Sequence, residues 1–154
     1  MKMTISGITE IGVPIDSALK FSNNLREIAM CVPTAQDFNQ IDDKNFTITI
    51  TVGIAVMKGM FKVKTTLVEQ TQNRLVYSMD GHGIGSTLKE TLTLDLNSKS
   101  ATTTEVSWNA DMELHGLVSG VSEPVLRKIS GDRISETIAN IKSKLEGQKQ
   151  DAVQ

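Results

Sequence analysis

The sequence predicts an α+β protein: a curved antiparallel sheet of about six or seven strands gripping a long C-terminal helix, with short helices after the first strand. Three observations carry this reading. Between residues 35 and 114 apolar side chains recur at every second position, the period of a half-buried strand. The runs are joined by connections of a few residues, too short for anything but antiparallel neighbours. From Glu123 to Leu145 the spacing changes to three and four, which places the apolar residues along a helix.

In chain order, residues 3–12 alternate and carry β-branched side chains, so they read as the first strand. Pro14 ends it, because proline cannot donate to a ladder. Asp16 suits an N-cap, and DSALKFSNNLREIAMCV reads as one or two short helices broken at Asn23-Asn24 and closed by Pro33. Phe46, Ile48, Ile50, Val52 and Ile54 then alternate with Thr47, Thr49, Thr51 and Gly53. A turn at MKG (57–59) leads into a strand with Phe61, Val63, Thr65 and Leu67 inward and Lys62 and Lys64 outward. Further turns are expected at 71–74 and at NSKS (97–100), before ATTTEVSWNADMEL.

In the terminal helix Val125, Leu126 and Ile129 centre on one stripe, while Ile134, Ile138, Ile141 and Leu145 centre on another. Gly131 lies between them, so a bend is expected there, with the first half of the helix forming a movable cover. The domain is expected to span 1–146, and GQKQDAVQ (147–154) reads as a polar, frayed tail.

Composition excludes several functions. A length of 154 residues suits one domain with one core. A net charge of −2 offers no footprint for nucleic acid. A single cysteine, Cys31, forms no internal disulfide and fits a reducing compartment. MKMTISGITEIG lacks the apolar core of a signal peptide, and no run approaches the ~18 apolar residues of a membrane span. A cytoplasmic protein is expected.

YSMDGHGIGSTLKE (77–90) sets Gly81, Gly83 and Gly85 at alternate positions. A dinucleotide loop needs G-x-G-x-x-G between a strand and a helix, so that phosphate meets the helix N-terminus. Here the third glycine comes one residue early and a strand follows. Nor is there the Gly-Lys-Ser/Thr of a Walker loop. His82 and His115 are the only histidines, and no carboxylate or thiol stands at a recognised ligand spacing, so neither metal nor cofactor is expected. The glycines read as a hairpin connection or a bulged strand start. Cys31 reads as a buried structural thiol, and His115 as a loop histidine rather than a general base.

A sheet with one apolar face needs a cover, and the terminal helix alone is long enough. A curved sheet gripping one helix leaves a hollow. Its expected lining is Ile48, Ile50, Val52, Phe61, Val63, Leu67, Tyr77, Glu90, Leu92, Trp108 and Met112, with Ile134 and Ile138 from the helix. Glu90 shares parity with Leu88, Leu92 and Leu94, and a buried carboxylate needs a partner or a shifted pKa. It either pairs with Arg127 or Arg133 on the helix, or lines the cavity and holds a polar ligand group. Trp108 reads as core or as cavity wall.

GITEIGVPIDSALKFSNNLREIAMCVP, TITVGIAVMKGMFKVK, GHGIGS and ELHGLVSGVSEPVL, in this order and spacing, resemble the carbon monoxide dehydrogenase G-subunit (CoxG) family. That family belongs to the START-like, helix-grip superfamily of hydrophobic-ligand binders and polyketide-cyclase-like proteins. The resemblance runs from about residue 3 to 146. It implies an apolar cavity for a lipophilic small molecule, such as a quinone or a lipid. It also implies association with a molybdenum hydroxylase-type dehydrogenase. Two departures stand out: Thr34 follows Cys31-Val32-Pro33 where the family usually has glycine, and the polar GQKQDAVQ stands where longer members carry a hydrophobic tail, so no membrane anchor is expected.

Three functions follow as expectations. The first is a non-enzymatic carrier of an apolar ligand. The second is a cyclase- or hydrolase-type enzyme, whose acid–base pair would come from Glu90, Tyr77 and His115. The third is a protein-interaction module of a dehydrogenase complex, which would need no cavity.

Overall fold

The computed structural model describes residues 1–54 and 56–153, with 148–153 described by backbone alone. Its elements are β1 (Lys2–Ile11), α1 (Ile15–Phe21), α2 (Leu25–Met30), β2 (Gln36–Gln40), β3 (Asn45–Ile54), β4 (Met57–Gln70), β5 (Arg74–Gly83), β6 (Ser86–Ser100), β7 (Thr103–Gly116), a 3-10 turn (Leu117–Gly120) and α3 (Glu123–Val153). The seven strands form one antiparallel sheet in the order β1-β7-β6-β5-β4-β3-β2. α1 and α2 carry the chain from the β1 edge to the β2 edge, and the meander then returns strand by strand. The first strand thus closes on the last, pairing from Lys2↔Glu113 to Ile11↔Thr104.

The alternation holds in three dimensions. Phe61, Val63, Thr65 and Leu67 of β4 are buried, while Lys62 and Lys64 are exposed. The outer face is held open to water by charge. Along one row, Lys64, Asp80, Lys89, Glu113 and Lys2 stand side by side on β4, β5, β6, β7 and β1 with alternating sign.

Several local expectations are corrected. Pro14, not Asp16, occupies the N-cap of α1, because its extended backbone (φ −62°, ψ 154°) aims its carbonyl at the amides of Ser17 and Ala18. Asp16 falls in the first turn, where a carboxylate faces the helix dipole. The break at Asn23-Asn24 is confirmed: Asn24 caps α2, its side-chain oxygen accepting from the Glu27 amide at 3.2 Å. Ile54 pairs with Met57, so the β3–β4 turn falls at 55–56, two residues before MKG; Ala55 lies outside the described residues. NSKS remains strand, and the β6–β7 turn falls at 101–102. Polar residues signalled a turn there, but a strand end that projects past the core is wet on both faces and tolerates them.

α3 is continuous through Gly131. Val125 is 41% exposed and belongs to no inward stripe, whereas Leu126 is 1% exposed. With Val125 removed, and with Ser130, Arg133 and Thr137 included, the inward positions from Leu126 to Leu145 form one slowly turning stripe. The expected bend at Gly131, and the movable cover built on it, lose the observation they rested on. The expectation of a frayed tail concerns residues whose side chains lie outside the described ones.

Thr34 takes φ 65°, the left-handed conformation that glycine adopts most readily. Its hydroxyl accepts from the Thr51 amide at 2.9 Å and donates to the Thr51 carbonyl at 3.1 Å. Two bonds to β3 offset the strain of a threonine at a glycine-like position.

Candidate functional site

The concave face of the sheet and the inward stripe of α3 enclose a cavity of about 270 Å³. Its wall is almost wholly aliphatic and aromatic. The interstrand register explains this, since residues of one parity stand in rows across the strands. One row reads Ile48, Val63, Gly81, Leu88, Leu114. Gly81 is there to make room: a Cβ on it would lie 3.0 Å from two ring carbons of Phe61. The rest of the glycine stretch turns the chain. Ile84 and Gly85, at φ 51° and 62°, form the two-residue hairpin between Gly83 and Ser86, both in the region a type I′ turn demands.

The next row is different. It reads Phe46, Thr65, Met79, Glu90, Met112, Met3, a carboxylate between two methionines in the middle of the apolar face. Tyr77 sits two residues from Met79 and opposite Leu92, which brings it diagonal to both Thr65 and Glu90. Glu90 keeps accessible surface although it is packed among core residues, and it forms part of the cavity wall. Loss of water pushes its carboxyl up to about 7 and the Tyr77 phenol up to about 12. The Tyr77 hydroxyl is buried with no hydrogen-bond partner.

Glu90 is not paired with the helix. Arg127 donates to Glu123 and to the Thr4 carbonyl, both at the β1 edge. Arg133 donates to the Pro33 carbonyl at 2.9 Å and reaches Thr34 and Thr51. Backbone carbonyls of the α2–β2 connection and of β3 are within reach of its long side chain, and they take the guanidinium that sequence parity offered to Glu90. The structural pairing is therefore overturned, and the cavity-facing alternative is the arrangement observed. Arg133 begins a polar strip on α3: Asn140 donates to the Cys31 carbonyl at 2.9 Å, and Lys144 pairs with Glu27. This strip fastens the helix to the segment from α2 to Pro33. Cys31 is buried, and burial pushes its thiol up, as expected for a structural cysteine.

Of the residues expected to line the cavity, Ile48, Ile50, Val52, Phe61, Val63, Tyr77, Glu90, Leu92, Met112, Ile134 and Ile138 do so. Leu67 and Trp108 do not. Leu67 is buried one strand end away, in the cluster formed by Phe21, Leu75 and Tyr77. Trp108 has the right parity but leans sideways over β1. Its register partner is Gly7, and a Cβ at Gly7 would lie 2.5 Å from the indole. His115 and His82 lie on the outer face, opposite Thr87 on β6; His115 bonds Glu113 at 2.9 Å. His115 is thereby removed from any cavity acid–base pair. Ile129, Leu94 and Val106 also line the cavity without having been singled out, although their spacing marked each as inward. Among the described residues no three histidine, cysteine or carboxylate side chains converge, and no helix is long and apolar enough to cross a membrane.

A sheet that wraps one helix around an apolar hollow defines a helix-grip protein shaped to hold a hydrophobic ligand. The family model of the carbon monoxide dehydrogenase G-subunit (CoxG) matches residues 7–146, and the chain belongs to that family. No curated protein matches it in sequence. Solved structures share the fold at low identity. A conserved protein from Geobacillus kaustophilus superposes with a TM-score of 0.86 at 14% identity, covering 94% of this chain and 96% of that one. A START superfamily protein from Mycobacterium smegmatis gives 0.71 at 12%, covering 94% and 98%. The Zhui aromatase/cyclase from Streptomyces sp. R1128 gives 0.65 at 9%, covering 100% and 97%.

Proposed function

We propose that this protein is a non-enzymatic carrier that holds a hydrophobic small molecule, of the quinone or lipid class, between its sheet and C-terminal helix. Residues 1–146 form the carrying domain, which works in the cytoplasm as an accessory to a molybdenum hydroxylase-type, carbon monoxide dehydrogenase-like enzyme. The observation that carries this reading is the aliphatic cavity of about 270 Å³. That volume lies just below the usual range of small-molecule sites. Left empty, it forgoes roughly 6 kcal/mol of packing at the cost measured for engineered cavities. A chain of this length keeps such a void at the expense of much of its stability, which fits a cavity that is filled in use. The family name supports the accessory role.

The test is native mass spectrometry and solvent extraction of the purified protein, repeated on Leu92→Trp, whose indole enters the cavity. Retained quinone or lipid that the variant loses is the expected result. Wild-type protein that neither carries nor takes up any such compound refutes the carrier. A cyclase- or hydrolase-type enzyme is the second reading, favoured by Tyr77 and Glu90 facing the same cavity. It predicts chemical change in a bound ketone or ester that Glu90→Gln abolishes. A module acting through its surface alone has no use for the void.

A further inference from the structure

The polar groups of the cavity wall fall into two sets. Ser22, Arg133 and Thr137 are spent within the protein: Ser22 donates to the Leu19 carbonyl, Arg133 to Pro33, and Thr137 to the Arg133 carbonyl. Tyr77 and Glu90 have no partner among the described residues. Native proteins rarely leave buried polar side chains unbonded, so such groups mark a place where something outside the chain supplies the bond. Here both open into one cavity, on adjacent strands and on the same face, in the diagonal relation that sets Cα atoms roughly 7–8 Å apart. A single head group spans that distance through one hydrogen bond to each.

We propose that Tyr77 and Glu90 form a head-group subsite that receives a neutral oxygen function, a hydroxyl or a carbonyl, on an otherwise apolar ligand. This rests on the carrier reading and names the class of compound the cavity selects: neutral, single-headed lipophiles, in preference to hydrocarbons and to ions. Charge decides against ions. Tyr77, Glu90 and Arg133 are the titratable residues of the wall, and Arg133 is committed to Pro33. A carboxylate head would meet the Glu90 carboxyl with no free cation beside it. An ammonium head would have to shed its water into an aliphatic wall, at a cost of several kcal/mol that one carboxylate seldom repays. The phenol donates to a carbonyl or hydroxyl oxygen. A protonated Glu90 both donates and accepts, and burial keeps a large share of it protonated near neutral pH.

The experiment displaces Nile red, a neutral dye, from the full-length protein at pH 6.5 with octane, 1-octanol, octanoate and octylamine. Wild type, Tyr77→Phe, Glu90→Leu and Glu90→Gln are compared, and each variant's fold is checked by its melting curve. Tyr77→Phe and Glu90→Leu should each weaken octanol about tenfold, the worth of one hydrogen bond to a buried group, and change octane less than about twofold. Glu90→Gln, which still donates and accepts, should keep octanol within about threefold. Octanoate and octylamine should bind wild type at least about tenfold more weakly than octanol. Equal losses for octane and octanol, or an ion that matches octanol, overturn the subsite while leaving the carrier intact. Failure of wild type to take up the dye, octane or octanol overturns the carrier, and the subsite with it.

Discussion

The Arg133 guanidinium donates to the Pro33 carbonyl oxygen at 2.9 Å, tying the middle of α3 to the connection between α2 and β2. Its other contacts run to Thr34 and to the Thr51 carbonyl, so one side chain joins helix, connection and sheet edge. Arg133→Met keeps the aliphatic stem that lines the cavity and removes the donors. It should cost about 1–3 kcal/mol in a denaturant titration. An unchanged midpoint would show that the helix is held by its apolar stripe alone.

Thr34 sets strain against hydrogen bonds. Thr34→Ala keeps the positive φ and loses both bonds to Thr51, so it should destabilise by about 1–2 kcal/mol. Thr34→Gly loses the same bonds but relieves the strain, and should fall within about 1 kcal/mol of wild type. Alanine as stable as glycine would refute the balance.

Glu90 gives the protein a pH dependence of definite sign. Its carboxyl rises from 4.5 to about 7 on folding, so between those values the folded state holds a proton that the unfolded state has released. The stability linked to this group is fully present below about 4.5, declines as pH rises, and is gone above about 7. The loss is roughly 3 kcal/mol at the usual conversion. Melting curves of wild type and Glu90→Gln across this window should diverge as pH rises, with wild type falling. Parallel curves would mean that water or a ligand stabilises the charged form.

Two glycines should respond to alanine with opposite sign. At Gly7 the new Cβ would lie 2.5 Å from the Trp108 ring, which cannot move without opening the β1–β7 face; a loss of about 1–3 kcal/mol is expected. At Gly131 the nearest atom is a methyl of Ile5 at 3.8 Å, an ordinary contact. There the gain in helix propensity should stabilise by up to about 1 kcal/mol. Chemical denaturation of the two variants decides it, and a destabilised Gly131→Ala would mean that the helix needs its flexibility after all.

Much of the fold was legible in the chain because strand and helix periods are local properties. Phe46 to Ile54 and Phe61 to Leu67 show their inward parity within a few residues, and Asn24 caps its helix through an amide three residues on. Turn positions were less legible. NSKS is turn-like in composition and strand in structure, since what decides is whether a partner strand continues beside it. The stripe of α3 was misread for a related reason: Val125 is apolar but exposed, while Arg133 and Thr137 are polar but present their stems inward.

By itself, then, the sequence determined the meander, the long helix, the apolar concave face and the presence of one carboxylate upon it, because each depends on neighbours a few residues apart. Only the tertiary structure decided which of those inward residues border empty space. Trp108 left the cavity because Gly7, on a strand a hundred residues earlier, offered its ring somewhere to lie. Glu90 stayed without a partner because Arg133 found nearer acceptors at Pro33 and Thr51. Parity assigns a side chain to a face, but where it leans and what it bonds depend on groups that folding brings alongside it from distant parts of the chain.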